Sequence, residues 1–351
     1  MRVGICLLTL TPGEMGGTET YARELLRGLD RVGEHDYRVL LPDGPTVEAD
    51  GLDVAVATGY RPQLRRAGRA VTRTRAALRS RALRERLGPV DVTHYPLTVP
   101  LPRPSGAWVT TLHDVLHLDH PELFPATLRA FRRLGYDRTA RNADCVIVIS
   151  EFVRERAVDR LGLDPDRVRV VPLGVAHDRL SPGGETREPF LLYPARLWPH
   201  KNHARLFEAF AQLRRGRPEL RLVLTGGGHE GASLPEGVES RGLVSDNELA
   251  GLYRSAACLV FPSLYEGFGL PPLEAMACGC PVAASRAGAI PETCGDAAAF
   301  FDAYDPAAIA AGVEEALARA GELRARGLEH ASRFTWETTA RAHDEVYRRL
   351  A

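Results

Sequence analysis

Residues 2–41 contain the stretch that decides the fold: RVGICLLTL at 2–10, ETYARELLRGLDRVG at 19–33 and YRVLL at 37–41. The first and third are short runs rich in Val, Ile and Leu. The second repeats Tyr21, Ala22, Leu25, Leu26, Leu29 and Val32 at three- and four-residue steps, which lines them up on one face of a helix. Strand, helix, strand is a βαβ start. Working outward, the alternation recurs in VDVTHY (90–95), WVTTLH (108–113), a helix around 127–142, CVIVIS (145–150) and VRVVP (168–172). Near-continuous apolar strands with helices between them predict a parallel sheet covered on both faces. Residues 171–189, VPLGVAHDRLSPGGETREP, break the pattern with Pro and Gly and read as a linker. The alternation restarts with FLLYP (190–194), a helix near 202–215, LRLVLTG (220–226), a helix near 246–256, CLVFPS (258–263), a helix near 271–278, PVAAS (281–285) and helices from 305 onward. The expectation is α/β, with two Rossmann-like doubly wound domains at 1–175 and 176–334 facing a central cleft, and a C-terminal helix at 335–351. Ligands of open α/β sheets bind outside the carboxyl ends of the strands, so the chemistry is sought there.

Composition narrows the class. A chain of 351 residues is too long for one ordinary core, and 44% apolar with 26% charged residues excludes disordered and fibrous classes. The opening MRVGICLLTLTP lacks the basic stretch, long apolar region and cleavage site of a secretory signal, and no later apolar run reaches a membrane span. A cytoplasmic address is expected, peripheral to the inner face of the membrane if the charge pattern has that role. Cys6, Cys145, Cys258, Cys278, Cys280 and Cys294 show no metal-ligand spacing and read as reduced packing residues. Net charge is zero, yet residues 61–86 carry ten Arg against Glu85 alone, a local +9. That segment reads either as a solvated helix face or as a patch drawn to an anionic partner, such as a lipid-phosphate acceptor or a membrane surface. Nucleic acid is not among the expected partners.

The strongest motif is Glu266-Gly-Phe-Gly-Leu-Pro-Pro-Leu-Glu274, which follows the strand CLVFPS and opens a helix. Glycines let backbone approach a ligand, and a helix start offers N–H groups with the positive end of the helix dipole, a setting suited to phosphate. Two glutamates eight apart could grip hydroxyls at either end of a sugar nucleotide. The plain alternative is a turn residue and a solvated helix residue.

With this motif the chain resembles the retaining glycosyltransferases of family 4, which have the two-domain GT-B architecture, and its wording is closest to the mannosyltransferase B-like branch. The resemblance runs over nearly the whole chain. It implies that Glu266 contacts the transferred sugar, that Glu274 contacts the ribose, and that Phe268, Gly269 and Leu270 offer backbone N–H groups to sugar and diphosphate. Arg196-Leu-Trp-Pro-His-Lys201-Asn202 resembles the family's diphosphate site, where a bidentate guanidinium and an ammonium neutralise a leaving group without metal. Gly16-Gly17 matches the glycine pair near the donor phosphates, although a tight turn explains it equally. His113 ends a strand where the family places a histidine beside the sugar. Ser150 matches a donor-side serine, or caps the following helix. Gly226 and Val244 sit in loops expected to line the nucleotide. His113, His117 and His120 could be read as metal ligands, but that spacing needs a helix, and Pro121 with a strand upstream argues against one; neither a metal nor a cofactor is expected. The family's last helix crosses back onto the N-terminal domain.

The implied activity is transfer of a hexose, with mannose from GDP-mannose the leading donor, to a hydroxyl of a glycan, lipid-linked or natural-product acceptor. Rival readings are a nucleotide-sugar epimerase of the same fold and a non-catalytic sugar-nucleotide-binding protein. A phosphorylase would need a pyridoxal-phosphate lysine, and Lys201 is the only Lys in the chain. A dehydrogenase lacks its G-x-G-x-x-G fingerprint.

Overall fold

A computed structural model describes the chain except residues 14, 45, 46, 50, 63–79, 230 and 232. Most of the Arg-rich segment at 61–86 therefore lies outside the described residues; its end falls in a helix, Ser80–Leu87. The chain divides into two units, residues 1–174 with 336–351, and residues 175–335. The C-terminal helix Trp336–Leu350 thus belongs to the first unit, although the second is inserted before it.

In the first unit, β1 (Arg2–Cys6), β2 (Asp36–Pro42), β3 (Asp53–Ala57), β4 (Val92–Tyr95), β5 (Ala107–Leu112), β6 (Cys145–Val148) and β7 (Val168–Val170) form one parallel sheet. Its order is β3-β2-β1-β4-β5-β6-β7, so the direction of winding reverses between β1 and β4. Helix Gly17–Val32 buries Tyr21, Ala22, Leu25, Leu26 and Leu29, the stripe that the sequence shows. It packs on the C-terminal helix through Gly28, where an added Cβ would stand 2.8 Å from the Trp336 carbonyl oxygen. Only a residue without a side chain permits that approach.

The second unit contains β8 (Glu188–Pro194), β9 (Arg221–Thr225), β10 (Val238–Ser240), β11 (Ala256–Phe261), β12 (Val282–Ser285) and β13 (Ala299–Phe301), all parallel, in the order β10-β9-β8-β11-β12-β13. Winding reverses here between β8 and β11. Three strands escape the sequence reading. β3 is half exposed, with Val54 and Val56 at 41% and 45%, and β10 and β13 are three residues each, too short for an apolar run to stand out. The helix expected around 127–142 is broken into Ala126–Arg132, a π-turn at Arg133–Asp137 and Arg138–Asn142. Among the described residues no helix is long and apolar enough to cross a membrane.

Candidate active site

In the second unit the switch point between β8 and β11 gathers the motifs, because the loops that leave these two neighbouring strands diverge to opposite faces of the sheet. The loop after β8 carries Arg196 and Lys201. It is stapled in place: the Tyr193 hydroxyl donates to the Lys201 carbonyl at 2.5 Å, and the Leu264 N–H donates to the His200 carbonyl at 2.7 Å. Asn202, in the left-handed region at φ 60°, donates its side-chain amide to the carbonyls of Pro262 and Ala303 at 3.1 and 2.7 Å.

Held this way, the Lys201 ammonium meets the Glu266 carboxylate at 2.5 Å, with each side chain 14% exposed. Two residues 65 apart in sequence form one ion pair at the sheet's carboxyl edge. The ammonium also lies 5.5 Å from the centre of the Phe261 ring. Glu266 is fixed from its other side by Gly288, whose absent Cβ would stand 2.5 Å from the Glu266 carbonyl oxygen and 2.7 Å from its nitrogen. The Ala289 N–H donates to that same carbonyl at 3.0 Å.

Downstream, Gly269 at φ 104° caps helix Leu270–Ala277. Pro271 and Pro272 have no N–H, which confines the backbone donors of the helix start to Leu270, with Gly269 and Phe268 before it. The Phe268 carbonyl accepts from the Thr293 hydroxyl at 2.6 Å, which sets the orientation of this loop. Glu274, one helical turn in, accepts from the Tyr253 hydroxyl at 2.9 Å. Burial and the Glu274 charge push the Tyr253 phenol well above its ordinary range, so this donor keeps its proton. The third rim of the site joins three loops: Leu197 N–H donates to the Gly227 carbonyl at 3.1 Å and Gly226 N–H to the Gly242 carbonyl at 2.7 Å, two residues before Val244. Behind Lys201, His203 packs between Tyr193 and His229 at ring separations of 4.9 and 5.0 Å. Burial and His229 lower its pKa to about 4, leaving it neutral near pH 7.

The first unit holds the other predicted residues after the carboxyl ends of its strands, Gly16 and Gly17 after β1, His113 after β5 and Ser150 after β6. Gly16, at φ 56°, precedes the helix that starts at Gly17, and a Cβ on either glycine would find no atom within 4 Å. This loop after β1 is open. His113, the residue after β5, bonds through Nε2 to the Pro96 carbonyl at 2.8 Å. A carbonyl only accepts, so Nε2 carries the proton and, in the neutral ring, Nδ1 is the acceptor. Burial lowers the His113 pKa and favours that neutral form.

Ser150 has the capping role weighed for it: its fully buried hydroxyl oxygen accepts from the Val153 N–H at 3.1 Å. The segment after His113 does turn helical over Leu116–Asp119, against the expectation from Pro121. His117 bonds Asp137 at 2.8 Å and His120 bonds Glu122 at 3.0 Å, so the three histidines have three separate partners. All six cysteines are buried free thiols, and burial pushes Cys278 up to about 12.

Gly288, Tyr253, Tyr193 and Thr293 support the site without any motif to announce them. Their role rests on contacts between residues distant in sequence. Only Asn202 had a signal, its place next to Lys201.

Residues 178–334 match the model of glycosyl transferases group 1, and residues 15–179 match that of Glycosyltransferase Family 4. The O-antigen chain mannosyltransferase B of Escherichia coli is 31% identical over 275 residues, which span 71% of this chain and 72% of that protein. Among solved structures, the sucrose-phosphate synthase of Thermosynechococcus elongatus superposes with a TM-score of 0.82 at 23% identity, covering 100% of this chain and 99% of the other. Anabaena HepE, solved in complex with UDP and glucose, gives 0.73 at 18% identity over the full length of both chains. Two parallel doubly wound sheets, the switch-point glutamate and lysine, and these matches agree: the chain belongs to the family 4 glycosyltransferases of GT-B fold.

Proposed function

We propose that this glycosyltransferase moves a hexose, with retention, from a nucleoside diphosphate sugar to a hydroxyl of a glycan, lipid-linked or natural-product acceptor, and does so without a metal. The observation that carries the proposal is the Lys201–Glu266 ion pair at the β8/β11 switch point. A desolvated ammonium on the loop after β8, paired with the loop after β11 that leads into the helix start, suits a diphosphate, whose charge competes with Glu266 for Lys201. Once displaced, Glu266 is released to accept from sugar hydroxyls. The bond between the anomeric carbon and the phosphate oxygen breaks, the electron pair leaves with the diphosphate, and Arg196 and Lys201 hold the charge that develops. The acceptor oxygen bonds to the anomeric carbon on the same face, and its proton passes to the departing phosphate. Backbone groups at Phe268, Gly269 and Leu270 hold the diphosphate, Glu274 the ribose, and Gly226 and Val244 the base. In the first unit, the proposed roles are Gly16 and Gly17 at donor phosphates and His113 at the sugar, where its Nδ1 accepts from a hydroxyl; Ser150, fully buried with its oxygen on the Val153 N–H, keeps the capping role.

Mannose from GDP-mannose is the donor favoured, on the similarity to the mannosyltransferase. An anionic or lipid-linked acceptor suits the arginines of residues 61–86. The test is a thermal-shift screen of GDP, UDP and their hexose conjugates, with and without EDTA, followed by turnover of the hits. Stabilisation by a nucleoside diphosphate that EDTA leaves unchanged is expected. Turnover abolished by EDTA and restored by a divalent cation would overturn metal independence, and absence of any nucleotide effect would overturn the reading itself.

A further inference from the structure

Five side chains in the first unit, Tyr21, His94, Thr111, His343 and Tyr347, are each 0% exposed and are joined by a continuous run of hydrogen bonds. They come from helix Gly17–Val32, β4, β5 and the C-terminal helix. The direction of every bond between them follows from one anchor. His343 Nδ1 lies 2.8 Å from the Thr339 carbonyl, which accepts only, so Nδ1 carries the proton. Burial lowers the His343 pKa to about 4, so the ring is neutral and its Nε2 accepts. The Tyr21 hydroxyl, 2.8 Å away, must then donate to it. With its proton spent, Tyr21 accepts from the Thr111 hydroxyl at 2.8 Å. Thr111 in turn accepts from His94 Nε2 at 2.9 Å. His94 is neutral as well, its pKa held well below the ordinary value by burial and by His343, and its Nδ1 accepts from the Tyr347 hydroxyl at 2.8 Å. Donation runs one way, from Tyr347 through His94, Thr111, Tyr21 and His343 to a backbone carbonyl. The chain begins and ends on the C-terminal helix.

Tyr21 is where this network meets the site. Its ring stands edge-on to His113, with centroids 4.9 Å apart and planes at 79°. Two hydrogen bonds fix its oxygen, so the ring forms an immovable wall against the imidazole whose Nε2 reaches Pro96. We infer that His343, on the C-terminal helix, is a positioning residue for His113: by holding the Tyr21 hydroxyl it keeps the His113 ring in the orientation and tautomer that leave Nδ1 as the acceptor for substrate. This rests on the proposed role of His113 at the sugar, and it gives the C-terminal helix a part in the chemistry in addition to packing.

Imidazole nitrogen spectra of the whole chain, recorded without substrate, read the tautomer of His113 directly. The variants are His343→Leu, which removes the acceptor, and His343→Gln, whose carboxamide oxygen restores one. Tyr21→Phe keeps the ring but loses its hydroxyl, and Tyr347→Phe cuts the network at its far end. His343→Leu and Tyr21→Phe should each replace the single His113 tautomer with a mixture and slow transfer roughly 10- to 100-fold, the scale expected from a small displacement of a reacting group. His343→Gln should restore both, and Tyr347→Phe should leave the His113 spectrum as in the parent. If His343→Leu does not fold, Tyr21→Phe carries the test. A His113 spectrum unchanged in folded Tyr21→Phe overturns the inference, whatever the activity. A changed spectrum in a protein that turns over no nucleoside diphosphate sugar would keep the positioning network and remove the proposed function instead.

Discussion

Lys201 and Glu266 neutralise each other before any substrate arrives, and this decides how their variants should behave. On the proposed reading, Lys201→Ala removes charge stabilisation from the leaving group, and it strands the Glu266 carboxylate in a site where it is 14% exposed. Turnover should fall by roughly 30- to 1000-fold, the equivalent of about 2–4 kcal/mol of transition-state stabilisation. Glu274 is different, because Tyr253 holds it ready before and during the reaction. Glu274→Ala should therefore act mainly on the Michaelis constant for the donor, as the loss of uniform binding does. Steady-state kinetics on both variants, with circular dichroism to confirm folding, separates the two effects. Near-parent turnover in folded Lys201→Ala would mean that the diphosphate lies elsewhere. At this scale the sequence already carried the candidate site's motifs: the glutamates eight apart and the Arg–Lys segment could be read before any fold was known. The pairing of Lys201 with Glu266 could not, since 65 residues separate them and only the order of β8 beside β11 brings them together.

Elements set the precision of that pairing, and the clearest case is the turn between β12 and helix Ile290–Cys294. Gly288 sits there at φ 59°, and any Cβ would collide with the backbone of Glu266. Gly288→Ala must push the Glu266 loop away from Lys201 while also straining a left-handed position. The expected result is a loss of stability of about 1–3 kcal/mol and at least a tenfold fall in turnover, seen in denaturant melts and kinetics. A variant with full activity would show that the Glu266 loop tolerates displacement. Nothing in the sequence marks this glycine out, because AGAIP reads as an ordinary turn. Apolar strands such as β8 and β11 were legible because burial on both faces forces a continuous run. Strands β3, β10 and β13 were not, since edge position or a length of three residues removes that requirement. The π-turn at Arg133–Asp137 was hidden because Ala126–Arg132 buries no residue and the turn buries Asp137 alone, so there is no apolar stripe in which an extra residue would show.

Whole-molecule stability should depend on pH in the direction set by four histidines whose pKa values are lowered. His94, His113, His203 and His343 all have pKa values lowered by burial, the last two to about 4, from an ordinary value of 6.5. Between these limits the unfolded chain binds protons that the folded chain does not. Stability is therefore complete above pH 6.5 and declines as pH falls toward 4, by at most about 1.4 kcal/mol per pH unit for each histidine. Thermal melts should show a midpoint that drops between pH 7 and pH 5, and a flat profile over that range would mean that these rings are protonated in the folded state. Three of the four lie in the first unit. That unit is also the one the chain completes last. A ribosome releases residues 175–335 between its two parts, and at roughly 5–20 residues per second this takes on the order of 10–30 s. During that interval Tyr21, His94 and Thr111 are already synthesised, but His343 and Tyr347 are not. The half of the enzyme made first must wait, its polar core unmatched, while the half made second is free to fold ahead of it.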